Sequence, residues 1–131
     1  MVSKLRDLVP PDVRLVVTDG EPVRLMEAWT GAALAVVVDA VRADPPRPGM
    51  THRFVVDSPR TGTRRAASSH GLGLDDAISL ARALDRMPGQ LIVHAIEAAD
   101  LTEGPGLSPS VAAAVDTVAS AVVADVRSFR P

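Results

Sequence analysis

The sequence predicts a three-layer α/β/α sandwich built around a mixed, mostly parallel sheet. Two observations support this fold class. Strand-like and helix-like segments alternate along the chain, as they do in sandwiches of this kind. The segment Ala33–Val38 is a continuous apolar run, which is typical of a strand buried on both faces. With 131 residues, the chain is long enough for one domain with its own core, so residues 1–131 are predicted to form a single domain.

The first half of the chain contains two helical and three strand-like segments. Apolar residues at helical spacing indicate a short helix that ends before Pro10. A second helix is predicted where Pro22 suits a first turn and the following apolar residues share one face. The predicted elements are a short helix before Pro10, a strand at Arg14–Thr18, a helix at Pro22–Trp29 and strands at Ala33–Val38 and Thr51–Val56.

The second half of the sequence predicts two longer helices separated by a strand. Asp75 suits the positive end of a helix that Pro88 and Gly89 would stop, which places this helix at about Asp75–Met87. The apolar segment Leu91–Ile96 predicts the next strand. Ser108 and Pro109 form a good cap and first-turn pair for the last helix. Its apolar face is marked by valines at helical spacing, namely Val111, Val115, Val118, Val122 and Val126.

The composition excludes several classes of function. A net charge of −2 gives no electrostatic reason to expect nucleic acid or a membrane surface as a partner. The chain has no cysteine, which excludes a thiol nucleophile and a thiolate metal site and fits a cytoplasmic protein. Lys4 is its single lysine, so the phosphate-binding lysine of a P-loop is missing from any suitable position. We find no signal sequence and expect no membrane-spanning run.

Asp39 is the first candidate site residue because it follows the apolar run. Ligands of open α/β sheets bind outside the carboxyl ends of the strands. A carboxylate at that position could hold a cation or act as an acid or base. The structural alternative is an aspartate that ends the strand and caps the next turn.

Histidines provide the other candidates. His70 lies in a turn next to Gly71, just before a predicted helix, where its imidazole could bind a metal or transfer a proton. The structural alternative for His70 is a loop histidine bonded to backbone. His94 shares a strand face with Ile92 and Ile96 and is interpreted as a structural histidine, and His52 as a surface residue at a sheet edge.

Three segments together resemble the hydrogenase maturation proteases, the endopeptidases that trim the large subunit of nickel–iron hydrogenases. The family has an apolar strand ending in Asp-Ala, an S-x-H-x-x-G turn, and an I-E pair followed by G-P-G-L-S-P. The similar segments here are Val36–Ala40, Ser68–Leu74 and Ile96–Pro109. They occur in the family's order and spacing over nearly the whole chain, and the third is the most distinctive.

The resemblance implies a function and a metal site. It implies a monomeric, cytoplasmic endopeptidase, usually grouped with the aspartic-type enzymes, that removes the C-terminal extension of a hydrogenase large-subunit precursor. The family recognises nickel bound in that precursor, and its ligands in the two matching motifs correspond to Asp39 and His70. Carboxylate and imidazole are suitable donors for Ni²⁺. The resemblance assigns no nucleophile or general base.

The sequence departs from the family pattern at its start. The family begins with an apolar strand and a G-N-x-x-x-x-D-[DE]-G loop that carries a further metal ligand, and the sequence lacks both. We therefore expect the fold to lack its first strand, which in this phosphorylase/hydrolase-like sheet is interior and lies between the strands at Arg14–Thr18 and Ala33–Val38. A gap of about 9.6 Å, or a collapse of those two strands together, would follow. The alternative function is a noncatalytic α/β module that binds a protein, or an inactive fragment.

Overall fold

The computed structural model of the protein describes residues 5–41, 45, 47–56, 72–98 and 109–129. A helical turn at Leu5 precedes six regular elements. In chain order these are α1 (Pro22–Trp29), β1 (Leu34–Val41), β2 (Thr51–Val56), α2 (Leu72–Leu84), β3 (Gln90–Glu97) and α3 (Pro109–Ser128).

The described strands form one mixed sheet in the order β1-β3-β2. β1 pairs with β3 in parallel, with Leu34 opposite Gln90 and Val41 opposite Glu97. β2 pairs with the other side of β3 and runs antiparallel to it. The predicted mixed sheet is confirmed for these three strands.

The sheet carries a hydrophobic core on each face, because side chains of successive strand residues point to opposite faces. On one face, Leu91 and Val93 of β3 pack with residues of α1 and α2. On the other face, Ile96 packs beneath α3, and Leu5 joins this second cluster. Helices therefore cover both faces, which confirms the predicted three-layer arrangement.

The helix α3 is long, as predicted, but the expectation of no membrane-spanning run is wrong by length and composition. Its 20 residues are sufficient by length and composition alone to cross a membrane. The same composition serves a helix that packs on a sheet. The residues of α3 buried against the core lie at helical spacing, namely Ala114, Val118, Ala119 and Val122.

The predicted strand at Arg14–Thr18 is wrong, because this segment is not a strand in the structure. β1, the strand expected near it, pairs only with β3 among the described residues. A segment without a backbone partner forms no ladder. Leu15 still packs against the core beneath α3, but the two valines after it are largely exposed. The exposed fractions of Val16 and Val17 are 46% and 78%.

Two other boundaries differ from the predictions for physical reasons. β1 continues to Val41 and is mostly half-buried, because it lies at an edge of the described sheet and not at its centre. The helix predicted at Asp75–Met87 instead spans Leu72–Leu84. It ends early because Asp85 takes a left-handed conformation with φ of 59°. The amide of Arg86 then donates to the carbonyl of Ala81 at 2.8 Å, which completes a Schellman-type end.

Candidate active site at the carboxyl end of the sheet

Asp39 lies on β1 near the carboxyl end of the two parallel strands. The strand continues two residues beyond Asp39. The structural alternative required an aspartate that ends the strand, and Asp39 does not end it. Its partner across the parallel ladder is Ala95. Asp39 alternates with Val37 and Ala35, which pack in the core under α1 and α2, so it belongs to that face of the sheet. The side chain is half-buried.

The first turn of α2 approaches the same end of the sheet. A short connection joins the other end of α2 to the start of β3, so the helix runs back along the strand. In this first turn, Gly73 contacts the backbone carbonyl of Gly20, and a side chain at Gly73 would collide with it. Gly20 has φ of 85° and is followed by Glu21, whose carboxylate caps α1. The second predicted site residue, His70, lies outside the described residues.

Glu97 is the buried charged residue at this end of the sheet. It is the last residue of β3, and only 2% of its surface is exposed. Its oxygen Oε1 accepts a hydrogen bond from the backbone amide of Arg47 at 3.1 Å, and Oε2 accepts one from the Arg47 guanidinium at 3.0 Å. Nε2 of His52 lies 2.7 Å from the same Oε2. We call Arg47, His52 and Glu97 the Glu97 cluster.

A tight turn positions Arg47 in the Glu97 cluster. The amide of Met50 donates to the carbonyl of Arg47 at 3.0 Å, so residues 47–50 form a β-turn. Pro48 and Gly49 occupy its central positions, and Gly49 has φ of 92°, as a type II turn requires. Two backbone hydrogen bonds then fix the turn to Glu97, because its amide donates to Met50 and its carbonyl accepts from Gly49.

The Glu97 cluster is arranged to keep the carboxylate ionised. The hydrogen bond to His52 lowers the pKa of Glu97, burial raises it, and the hydrogen bonds and charge of Arg47 lower it further, so that the net pKa is below its ordinary value of 4.5. An ionised carboxylate only accepts hydrogen bonds, so Nε2 of His52 must be the donor. The imidazole is therefore held in one tautomer when it is neutral.

A second carboxylate–imidazole pair lies on the opposite face of the sheet. His94 of β3 is buried, and its Nε2 lies 2.6 Å from Oδ2 of Asp125 on α3. The guanidinium of Arg53, which pairs with His94 across the antiparallel ladder, donates to Oδ1 of Asp125 at 2.8 Å. His94 is a structural histidine that ties α3 to the sheet, as the sequence analysis interpreted it.

The pair at Asp125 predicts a pH-dependent contribution to stability. Burial raises the pKa of Asp125, but hydrogen bonds and charges from Arg53 and His94 more than offset this and hold it below 3.8. A lowered folded-state pKa stabilises the protein fully above the unfolded value and progressively less as the pH falls through the folded value. Asp125→Asn should therefore lower the free energy of unfolding by about 1.5–3 kcal/mol at pH 7 and by less at pH 3.

Urea unfolding of wild type and Asp125→Asn at the two pH values measures this difference. The exposed Asp12→Asn is the control and should behave like wild type at both. A loss of stability that is equal at pH 7 and pH 3 would contradict the assigned role of the Asp125 carboxylate.

At the carboxyl end of the parallel strands, the described residues provide few side chains that could bind a metal. No three histidine, aspartate or glutamate side chains in the described ranges converge closely enough to hold an ion by themselves. Asp39 is the one predicted metal ligand whose position is described.

The fold and the site define an α/β protein with polar groups gathered at the carboxyl end of its parallel strands. Comparison of structures gives three similar chains. An E. coli hydrogenase maturating endopeptidase HybD and an endopeptidase from Escherichia coli solved in solution each give a TM-score of 0.77 at 21% identity, covering 97% of this chain and 80% of theirs. A [NiFe] hydrogenase maturation protease HybD from Thermococcus kodakarensis gives 0.58 at 26% identity, covering 76% and 69%.

The sequence comparison identifies the family. The HycI family model, described as hydrogenase maturation protease, matches residues 2–125. The chain therefore belongs to the hydrogenase maturation protease family, a family of peptidases, and the resemblance found in its motifs is confirmed. A search of curated proteins gives no match.

Proposed function

We propose that this protein is the endopeptidase that removes the C-terminal extension of a nickel–iron hydrogenase large-subunit precursor and recognises the nickel already bound in that precursor. The observation that carries the proposal is the family match, which spans residues 2–125 and so includes every candidate site residue. The position of Asp39 at the carboxyl end of β1, where open α/β sheets bind ligands, supports it.

In this proposal, Asp39 and His70 are the protein's ligands to the nickel ion of the substrate. The ion carries ligands from the precursor, so two donors from the protease are sufficient to position it. Shared coordination would orient the adjacent peptide bond and lower the entropic cost of aligning it. The aspartic-type class remains a prediction, as do the cytoplasmic location and the monomeric state.

The proposal predicts that both ligands are needed for metal binding and for cleavage. We expect the purified protein to bind free Ni²⁺ weakly and to cleave a nickel-loaded precursor but not the nickel-free one. Asp39→Ala and His70→Ala should each weaken Ni²⁺ binding and reduce cleavage at least tenfold, by analogy with the loss of single groups around other metal sites. Calorimetric titration measures binding, and separation of precursor and product measures cleavage.

Asp12→Ala is a matched control, because Asp12 is an exposed aspartate on the segment before α1. It should bind Ni²⁺ and cleave the precursor like wild type. Binding and cleavage that are unchanged in Asp39→Ala and His70→Ala would show these residues to be structural. A precursor that binds without being cleaved would favour the noncatalytic module.

A further inference from the structure

We propose that His52 is the general base of peptide hydrolysis and that buried Glu97 positions it. This inference rests on the proposed function and deepens it, since neither the family match nor the proposed metal ligands assign the group that activates water. It begins from the Glu97 cluster, which joins residues 45 positions apart in the sequence at one end of the sheet.

His52 and Asp39 lie in one row across the sheet. Ala95 of β3 is the ladder partner of both residues, with Asp39 on one side and His52 on the other. Partners in a ladder share a face, so both side chains belong to the face covered by α1 and α2. Two strand spacings separate their backbones by about 9.6 Å. Ala95, which lies between them, is buried, so a substrate would approach His52 from the exposed side of its ring.

The Glu97 cluster presents His52 as a base. Because the ionised Glu97 holds the proton on Nε2, the neutral ring has its lone pair on Nδ1. The ring of Phe54 lies stacked at 13° to the imidazole with centroids 6.4 Å apart, which further limits its rotation. A carboxylate also orients the general-base imidazole in hydrolase triads, although there it binds Nδ1 and leaves Nε2 as the base.

The histidines of the two carboxylate–imidazole pairs differ in their exposure to solvent. The side chain of His52 is 37% exposed, whereas that of His94 is 4% exposed beneath α3. Arg47 donates to both oxygens of Glu97, and His52 adds a further hydrogen bond while its own ring stays partly exposed. The ring of His52 is therefore accessible to a substrate, whereas that of His94 is not.

The proposed reaction is balanced with water as the only co-reactant. The oxygen of a water molecule attacks the carbonyl carbon of the scissile peptide, and Nδ1 of His52 accepts one proton from that water. The carbon–nitrogen bond of the tetrahedral intermediate then breaks. The imidazolium returns the proton to the leaving amine nitrogen, so that the products are a carboxylic acid and an amine and His52 is again neutral.

The first test separates catalysis from substrate binding. With nickel-loaded precursor, His52→Gln should lower kcat at least 100-fold and change KM less than about threefold, as expected for loss of a general base. Added imidazole should restore part of the activity of His52→Ala, since the exposed site can admit it. His94→Gln is the matched control on the opposite face and should retain wild-type kcat below its melting temperature.

The second test reports the position of the ring without using activity. In ¹⁵N NMR spectra of the folded protein, neutral His52 should be protonated at Nε2, and Glu97→Gln should redistribute the proton between the two nitrogens. A wild-type kcat in His52→Gln, or an Nδ1-protonated ring in wild type, would overturn the inference while leaving the proposed function intact. Absence of cleavage by the wild-type protein would overturn the proposed function and the assignment of His52 with it.

Discussion

Trp29→Ala is expected to lower the free energy of unfolding by about 3–5 kcal/mol, which is the usual cost of removing a large aromatic side chain from a core. Trp29 is 3% exposed and packs in the cluster formed by α1, α2 and the sheet. Its Nε1 also donates a hydrogen bond to the carbonyl of Arg86 at 3.1 Å, which ties the end of α1 to the connection after α2. The substitution removes both the packing and this bond.

Trp29→Phe separates the two contributions. It keeps a ring in the core and removes the donor, so it should cost less than half as much as Trp29→Ala. Chemical unfolding followed by circular dichroism measures both, since Trp29 is the single tryptophan and fluorescence would be lost with it. Stabilities of both variants within 1 kcal/mol of wild type would show that Trp29 is not a core residue.

Gly73→Ala is expected to destabilise the protein by about 2–3 kcal/mol, the usual range for an overpacked position. Intrinsic propensity predicts the opposite sign, because alanine is better than glycine in a helix by about 1 kcal/mol. The packing effect should prevail because an added methyl would overlap the carbonyl of Gly20. The backbone fixes the position of the methyl group, and the carbonyl is itself backbone, so neither can rotate away and α2 would have to move from the turn at Gly20.

Ser79→Ala provides the matched control for helix propensity. Ser79 is an exposed residue of the same helix, so this change should raise stability by a few tenths of a kcal/mol. Thermal and urea unfolding of the two variants decide between packing and propensity. A Gly73→Ala protein that melts above wild type would mean that α2 and the Gly20 turn are not in close contact.

The sequence predicted those parts of the fold that depend on local patterns. The helix at Pro22–Trp29 was predicted with its start and its approximate end, since a proline in its first turn and an apolar face mark it. The strand at Arg14–Thr18 failed because an apolar pattern cannot reveal whether a ladder partner exists. The start of α2 was placed three residues late, because Asp75 indicated the positive end of the helix, whereas the helix begins at Leu72.

Within the candidate site, the sequence predicted the residue that a single local motif marks, but not the residues that only the fold brings together. Asp39 is found at the predicted end of the sheet because an apolar strand followed by a carboxylate is a local signal. The Glu97 cluster was missed, because its members come from a turn, an edge strand and the central strand, and only the register of β2 against β3 brings them together. The sequence signal for this cluster was Glu97, a glutamate at the end of a mostly apolar strand, because a buried carboxylate requires hydrogen-bond partners.

The central position of β3 determines when the sheet can form during synthesis. Both ladders of the described sheet include β3, although β1 and β2 precede it in the chain. Neither earlier strand can pair in its native register until Glu97 has left the ribosome. At about 5–20 residues per second, β1 then waits several seconds for its partner. Its apolar residues are exposed to other chains during that interval, so slow translation before β3 should increase aggregation of this protein in the cell.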